Sequence, residues 1–239
     1  KVASEELSVQ NTGYFVRSKE NGYIGDAALK ILLPEEASNV LNNLDKIIEK
    51  VPVVDDDLIK EYVDKVVLGL NRTAEDSAKK ATPIFANAIK EMTVEDGIKI
   101  ICGEENAATE YLKENTYDDL LELYGTEIDA SLDKALIGSM STNSMSTNEA
   151  WNKLQDLYNT AVNKYNDVIS SNIITGALLD KLQPLDVDIS QFATEKALDG
   201  LFYMVEQEEF KIRENPLSYS SDIIQKVFGA VKAGFIPNN

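Results

Sequence analysis

The sequence predicts an all-α protein, a multi-helix bundle of about seven to nine helices with no significant β-sheet. Three observations predict it. Apolar residues recur at steps of three and four over long stretches. The breaks between these stretches are prolines or residues that cap helices. Strand signals are nearly absent, with little alternation and no Asn-Gly turn between β-branched runs.

Residues 1–25 are polar, with turn signals at Asn11-Thr12-Gly13 and Asn21-Gly22, and form an N-terminal arm. Pro34 takes a first-turn position, and Glu35 and Glu36 suit the positive end of a helix dipole. Val40, Leu41, Leu44, Ile47 and Ile48 follow at helical spacing until Pro52 ends the segment. Asp55 to Asp57 cap the next helix, whose apolar face runs Ile59, Tyr62, Val63, Val66, Val67, Leu70, Ala74, Ala78 and Ala81. Its late alanines permit close approach of another helix. Thr82-Pro83 reads as a cap followed by proline at the first helical position, opening a helix through Phe85, Ile89 and Met92.

Thr93-Val94-Glu95-Asp96 resembles a capping box, and its helix stops near Gly103. A short helix with Ala107, Ala108, Tyr111 and Leu112 comes next. Thr116-Tyr117-Asp118-Asp119 reads as another box, leading to Leu120, Leu123, Tyr124, Ile128, Leu132 and Leu136. Ser-Met-Ser-Thr-Asn then occurs twice in succession, and residues 138–148 are expected as an exposed loop. A long helix spans about 149–170 and another about 190–214, the second stopped by Pro216. A last helix runs from Ser221 to Phe228 and ends at Gly229. The expected organisation is an arm over 1–25, one helical domain over 26–230 and a C-terminal tail over 231–239.

Composition removes several chemistries. The net charge of −18 opposes binding to nucleic acid and to anionic lipid surfaces. It leaves open a docking surface for a basic partner or Ca²⁺. With no histidine, Ser-His-Asp and Cys-His nucleophile systems and histidine zinc sites are excluded. The single cysteine, Cys102, excludes an internal disulfide and a cysteine metal cluster, and its apolar surroundings predict a buried, inert thiol. No metal and no cofactor are expected. Asp186-Val187-Asp188 resembles the start of a calcium loop but lacks the glycine and glutamate that such a loop needs later. No apolar run reaches the length of a membrane span.

Two polar intrusions carry the candidate site. Leu198, Phe202, Val205 and Ile212 make a helical stripe, and Glu209 falls into it where an apolar residue is due. Arg213 lies four residues on, within salt-bridge reach. In the stretch Leu70-Asn71-Arg72-Thr73-Ala74-Glu75, Asn71 and Glu75 border the apolar face. Burying unpaired charge is costly, so the two clusters are expected to satisfy each other across a helix contact. The candidate binding residues are Asn71, Arg72, Glu75, Asp199, Glu208, Glu209 and Arg213. They form either a structural network or a carboxylate site for acid–base work or a cation.

Several segments resemble a bacterial family, the domain of unknown function 4197. They include residues 30–35, Leu70-Asn71-Arg72-Thr73-Ala74-Glu75, Pro83-Ile84-Phe85, Ala107-Ala108-Thr109-Glu110-Tyr111 and Val227-Phe228-Gly229. The fullest similarity is Thr194-Glu195-Lys196-Ala197-Leu198-Asp199-Gly200-Leu201-Phe202, continued by Glu208-Glu209, Ile212-Arg213 and Asn215-Pro216. Residues 125–158 depart most. The resemblance implies an all-helical domain, exported or envelope-associated and often lipoprotein-like, with no assigned catalytic residues.

The expectation that follows is a bacterial envelope-associated binding or structural module without enzymatic activity, whose partner is a protein or a small-molecule ligand. Any membrane anchoring is expected through an N-terminal lipid signal already removed. The alternatives are a carboxylate-based hydrolase or divalent-metal protein using Glu75, Asp199, Glu208 and Glu209, and a carrier with an enclosed apolar tunnel lined by Phe85, Phe202 and Tyr203.

Overall fold

The capping residues and prolines that punctuate the sequence set most of the helix boundaries seen in the computed structural model, which describes residues 22–51, 55–134, 145–171 and 179–233. The helices there are α1 (Gly22–Gly25), α2 (Glu35–Lys50), α3 (Asp56–Ala78), α4 (Ala81–Glu91), α5 (Val94–Cys102), α6 (Ala107–Leu132), α7 (Thr147–Ser170), α8 (Ile189–Glu214) and α9 (Asp222–Lys232). A 3-10 turn, Pro216–Ser218, joins the last two. Among the described residues there is no β-sheet, and the fold is all-α.

Local chemistry accounts for the starts. The Asp55 side chain accepts from the Leu58 amide, and Asp188 accepts from those of Ser190 and Gln191. The residues that look like a calcium loop are thus a helix cap. Thr93 and Asp96 form the full reciprocal capping box that their spacing predicts.

Burial drives the assembly. α8 packs most extensively on α6, and α3 on α7. The shared core takes Ile59, Val63, Val66 and Leu70 from α3 and Leu120, Tyr124, Ile128 and Leu132 from α6. Trp151, Leu154, Tyr158 and Val162 come from α7 and Leu198, Leu201 and Phe202 from α8. Gly69 lies where α3 meets the first turn of α7, and a Cβ there would collide with Thr147.

Five local expectations are corrected. α6 is one helix through Thr116, because the Thr116 hydroxyl donates back to the Leu112 carbonyl instead of capping a new start. α4 begins at Ala81, without a side-chain cap, so Thr82 and Pro83 lie inside its first turn. The predicted exposed loop 138–148 is cut short: Ser146 is the buried N-cap of α7, in a capping box with Glu149, and Thr147 is fully buried. The first copy of the repeat has Ser144 where the second has Glu149, so only the second offers an acid three residues after the capping serine. Residues 138–144 and Pro52 lie outside the described residues. α9 continues through Gly229 to Lys232, into the predicted tail. Cys102 is half-buried on the last turn of α5.

The arm also ends differently. Tyr23, expected in a polar arm, is fully buried in α1, and its hydroxyl donates to the Ala197 carbonyl at 2.5 Å. Its ring lies directly on Gly200, where a Cβ would clash with it. That contact explains the glycine within the Asp199-Gly200-Leu201 stretch. The rest of the arm, 1–21, lies outside the described residues.

Candidate functional site

Glu209 sits on the second-last turn of α8, only 6% exposed, and faces the start of α6. Its carboxylate accepts from the Ala108 amide at 2.9 Å, the Thr109 amide at 2.8 Å and the Thr109 hydroxyl at 2.8 Å. Asn106, in the N-cap position of α6, makes no side-chain cap bond, so a residue from another helix supplies the cap. A carboxylate there also meets the positive end of the α6 dipole.

Arg213 completes the junction. Its Nε and Nη2 donate to Glu209 Oε1 at 3.0 and 2.7 Å, and Nη2 also donates to the Ile100 carbonyl at 2.7 Å, on the last turn of α5. The anion of one ion pair thus meets an N-terminus and the cation a C-terminus, each complementing its helix dipole. The guanidinium also lies over the Phe228 ring, 5.3 Å from its centroid, so α9 is tied in.

The second intrusion is separate. Asn71, fully buried on α3, accepts from the Ile31 amide at 2.9 Å and donates to the carbonyls of Ile31 and Val67, both at 2.7 Å. Its side-chain amide thereby pairs with both backbone groups of Ile31, as a neighbouring strand would. Arg72 and Glu75, both fully buried, form an ion pair in which Nη1 lies 3.0 and 2.7 Å from the two carboxylate oxygens. The expectation that the α3 and α8 clusters satisfy each other is therefore corrected. Glu209 and Arg213 meet the ends of α6 and α5, Asn71 meets the backbone of Ile31, and Arg72 pairs with Glu75 on its own helix.

The remaining candidates lie nearer the surface. Asp199 is exposed and pairs with Lys196 at 3.0 Å. Glu208 accepts from the Tyr219 hydroxyl at 2.8 Å and pairs with Lys211 at 3.4 Å. Among the hydrogen bonds and ion pairs described, the four carboxylates of the hydrolase alternative have no partner in common. No group of three or more acidic or cysteine side chains placed to hold a metal ion occurs among the described residues.

Four tyrosines have raised pKa values, Tyr117 and Tyr158 chiefly through burial. Tyr23 is raised by burial first, then by Tyr124, Glu75 and Asp199; Tyr124 is raised by burial.

The carrier alternative requires an enclosed tunnel; of the aromatic residues named for it, Phe85 and Phe202 pack against each other and Tyr203 lies at the surface. Phe85 and Phe202 pack edge-to-face at 5.9 Å, and Tyr117 stacks on Phe202 at 6.3 Å. Two open concavities lie along α8 instead. A groove of about 860 Å³ runs between the 28–38 segment and Phe192, Lys196, Gly200 and Tyr203. A cleft of about 240 Å³ is lined by Lys113, Phe202 and Glu206. Asp199 and Tyr203 belong to both and form the ridge between them. Sequence reasoning missed Tyr203 as a surface feature, because an aromatic at helical spacing reads as core; it is 37% exposed. It also missed Thr109 and the open amides of α6, which have no side-chain pattern to announce them.

The sequence profile of the family described as "Protein of unknown function (DUF4197)" matches residues 9–229. No curated protein and no solved structure matches the chain.

Proposed function

The chain belongs to the DUF4197 family of proteins of unknown function, and on that premise we propose that it is a binding or structural module of the bacterial envelope that works through the exposed face of α8. One observation carries this reading. The buried Asn71 and Glu209 spend their polar groups on the backbone of neighbouring segments, whereas Asp199 and Tyr203 stand on a ridge between two open concavities. Concave, partly apolar surface with a few polar groups is where ligands and partners are held. An exposed tyrosine beside a charged pair has the amphipathic character that favours interfaces. The envelope location rests on the family resemblance. No helix among the described residues is long and apolar enough to cross a membrane.

The test compares proteins retained from a bacterial envelope extract by the wild-type chain and by the double variant Asp199→Lys, Tyr203→Glu. Both side chains are exposed, so the variant is expected to keep its helical circular dichroism and lose specific partners. An identical set of retained proteins would defeat the reading.

A further inference from the structure

The large groove beside α8 has an edge of open backbone, and that edge specifies its occupant more closely than the groove's shape does. Over residues 30–33 burial alternates strictly: Lys30 exposed, Ile31 buried, Leu32 exposed, Leu33 buried. This is the period of an extended strand. Both backbone groups of Ile31 are taken by Asn71. In an extended chain the next residue directs its N–H and C=O to the opposite edge. The N–H and C=O of Leu32 have no hydrogen-bond partner among the described residues. Its side chain is 59% exposed and lines the groove with Phe192 and Tyr203.

Charge narrows the choice further. Glu35 and Glu36, at the end of the groove where α2 begins, have no basic partner among the described residues, while on the far wall Asp199 is paired with Lys196 and Lys30 stands at the open edge. The whole chain carries −18. We infer that residues 30–33 are a docking edge for an extended segment of a basic partner protein, which exchanges backbone hydrogen bonds with Leu32 and lays alternate apolar side chains in the groove against Phe192 and Tyr203. Strand addition of this kind draws affinity from main-chain bonds and selectivity from the alternate side chains. Like-charged partners and anionic lipid are repelled, and basic ones are steered in. The inference rests on the reading of the α8 face as an interaction surface and names the partner's chemistry.

The probe is a fluorescein-labelled peptide of alternating lysine and valine, titrated against the full chain. Its counterpart has the same sequence, methylated at every backbone amide nitrogen, with charge and side chains unchanged. The unmodified peptide is expected to bind at least about tenfold more tightly, the loss that about one hydrogen bond accounts for. Leu32→Pro removes one donor from the edge and is expected to weaken the unmodified peptide alone. On the wild-type chain, the Leu32 amide is expected to exchange more slowly once peptide is added, a measurement that needs no variant. Equal affinity for the two peptides, with Leu32 exchange unchanged, would mean electrostatic adsorption and overturn the inference. So would binding that emerges only after residues 1–21 are removed, which would assign the edge to the chain's own arm. If the peptide fails while the Asp199 and Tyr203 variant still loses its envelope partners, the docking edge is wrong and the α8 surface stands.

Discussion

Glu209 shows how much one side chain can hold in this bundle. Glu209→Ala leaves Arg213, whose side chain is 11% exposed, beside the ends of two helices with no anion to meet. It also strips the only side-chain cap seen on α6. Loss of one partner from a buried ion pair costs about 3–5 kcal/mol. That loss is expected in urea unfolding as a lower midpoint at unchanged slope. Glu209→Gln keeps one acceptor and is expected to lose about half as much. The intrusion of Glu209 into an apolar stripe was legible in the sequence, and so was its pairing with Arg213. Its main partners were not, because the amides of Ala108 and Thr109 lie about a hundred residues away and leave no mark in side-chain periodicity. Asn71 presents the same difficulty. The side chain looks out of place in sequence, and the backbone it serves, at Ile31, is forty residues distant.

At the level of elements, the contact between α1 and α8 is a fit of a large residue onto a glycine. Gly200→Ala puts a methyl into the Tyr23 ring, and overpacking of this kind costs about 1–3 kcal/mol. Tyr23→Ala removes the ring and its bond to Ala197 and is expected to destabilise too. The double variant is expected to be more stable than the sum of the single effects predicts, because the alanine methyl then meets open space. Strict additivity in chemical unfolding would contradict this packing. Element boundaries show where sequence signals compete. Thr116 carries the same residue pattern as Thr93, yet only Thr93 caps a helix. A threonine can bond forward to a helix start or back to a carbonyl four residues earlier, and Thr116, buried within α6, bonds back to Leu112. Ser146 resolves in the other sense: a serine in a polar repeat becomes a buried cap because Glu149 follows it.

For the whole molecule, the fold class and most helices were legible from periodicity and caps, since burial of apolar stripes dominates the assembly. The surface concavities were not, because they depend on how helices and the segment before α2 come together. Alkaline pH offers a global check. Burial holds the folded pKa values of Tyr23 and Tyr124 above the usual tyrosine value of 10.0. A group whose pKa is raised on folding contributes stability that is full below the unfolded value, near pH 10, and declines as pH climbs towards the folded one. Stability is therefore expected to fall above about pH 10. Tyrosinate absorbance from these two residues is expected to rise together with the loss of helical circular dichroism. Their titration with the helices intact would show that both hydroxyls reach solvent in the folded state.

The junction at Glu209 also bears on time. Its bonds join segments about a hundred residues apart, and a contact so distant in sequence closes only after most of the intervening chain has been ordered. Contacts absent from the transition state govern how fast a fold opens rather than how fast it forms. The polar residue that interrupts the α8 stripe is thus expected to act as a latch, its loss speeding unfolding more than it slows folding.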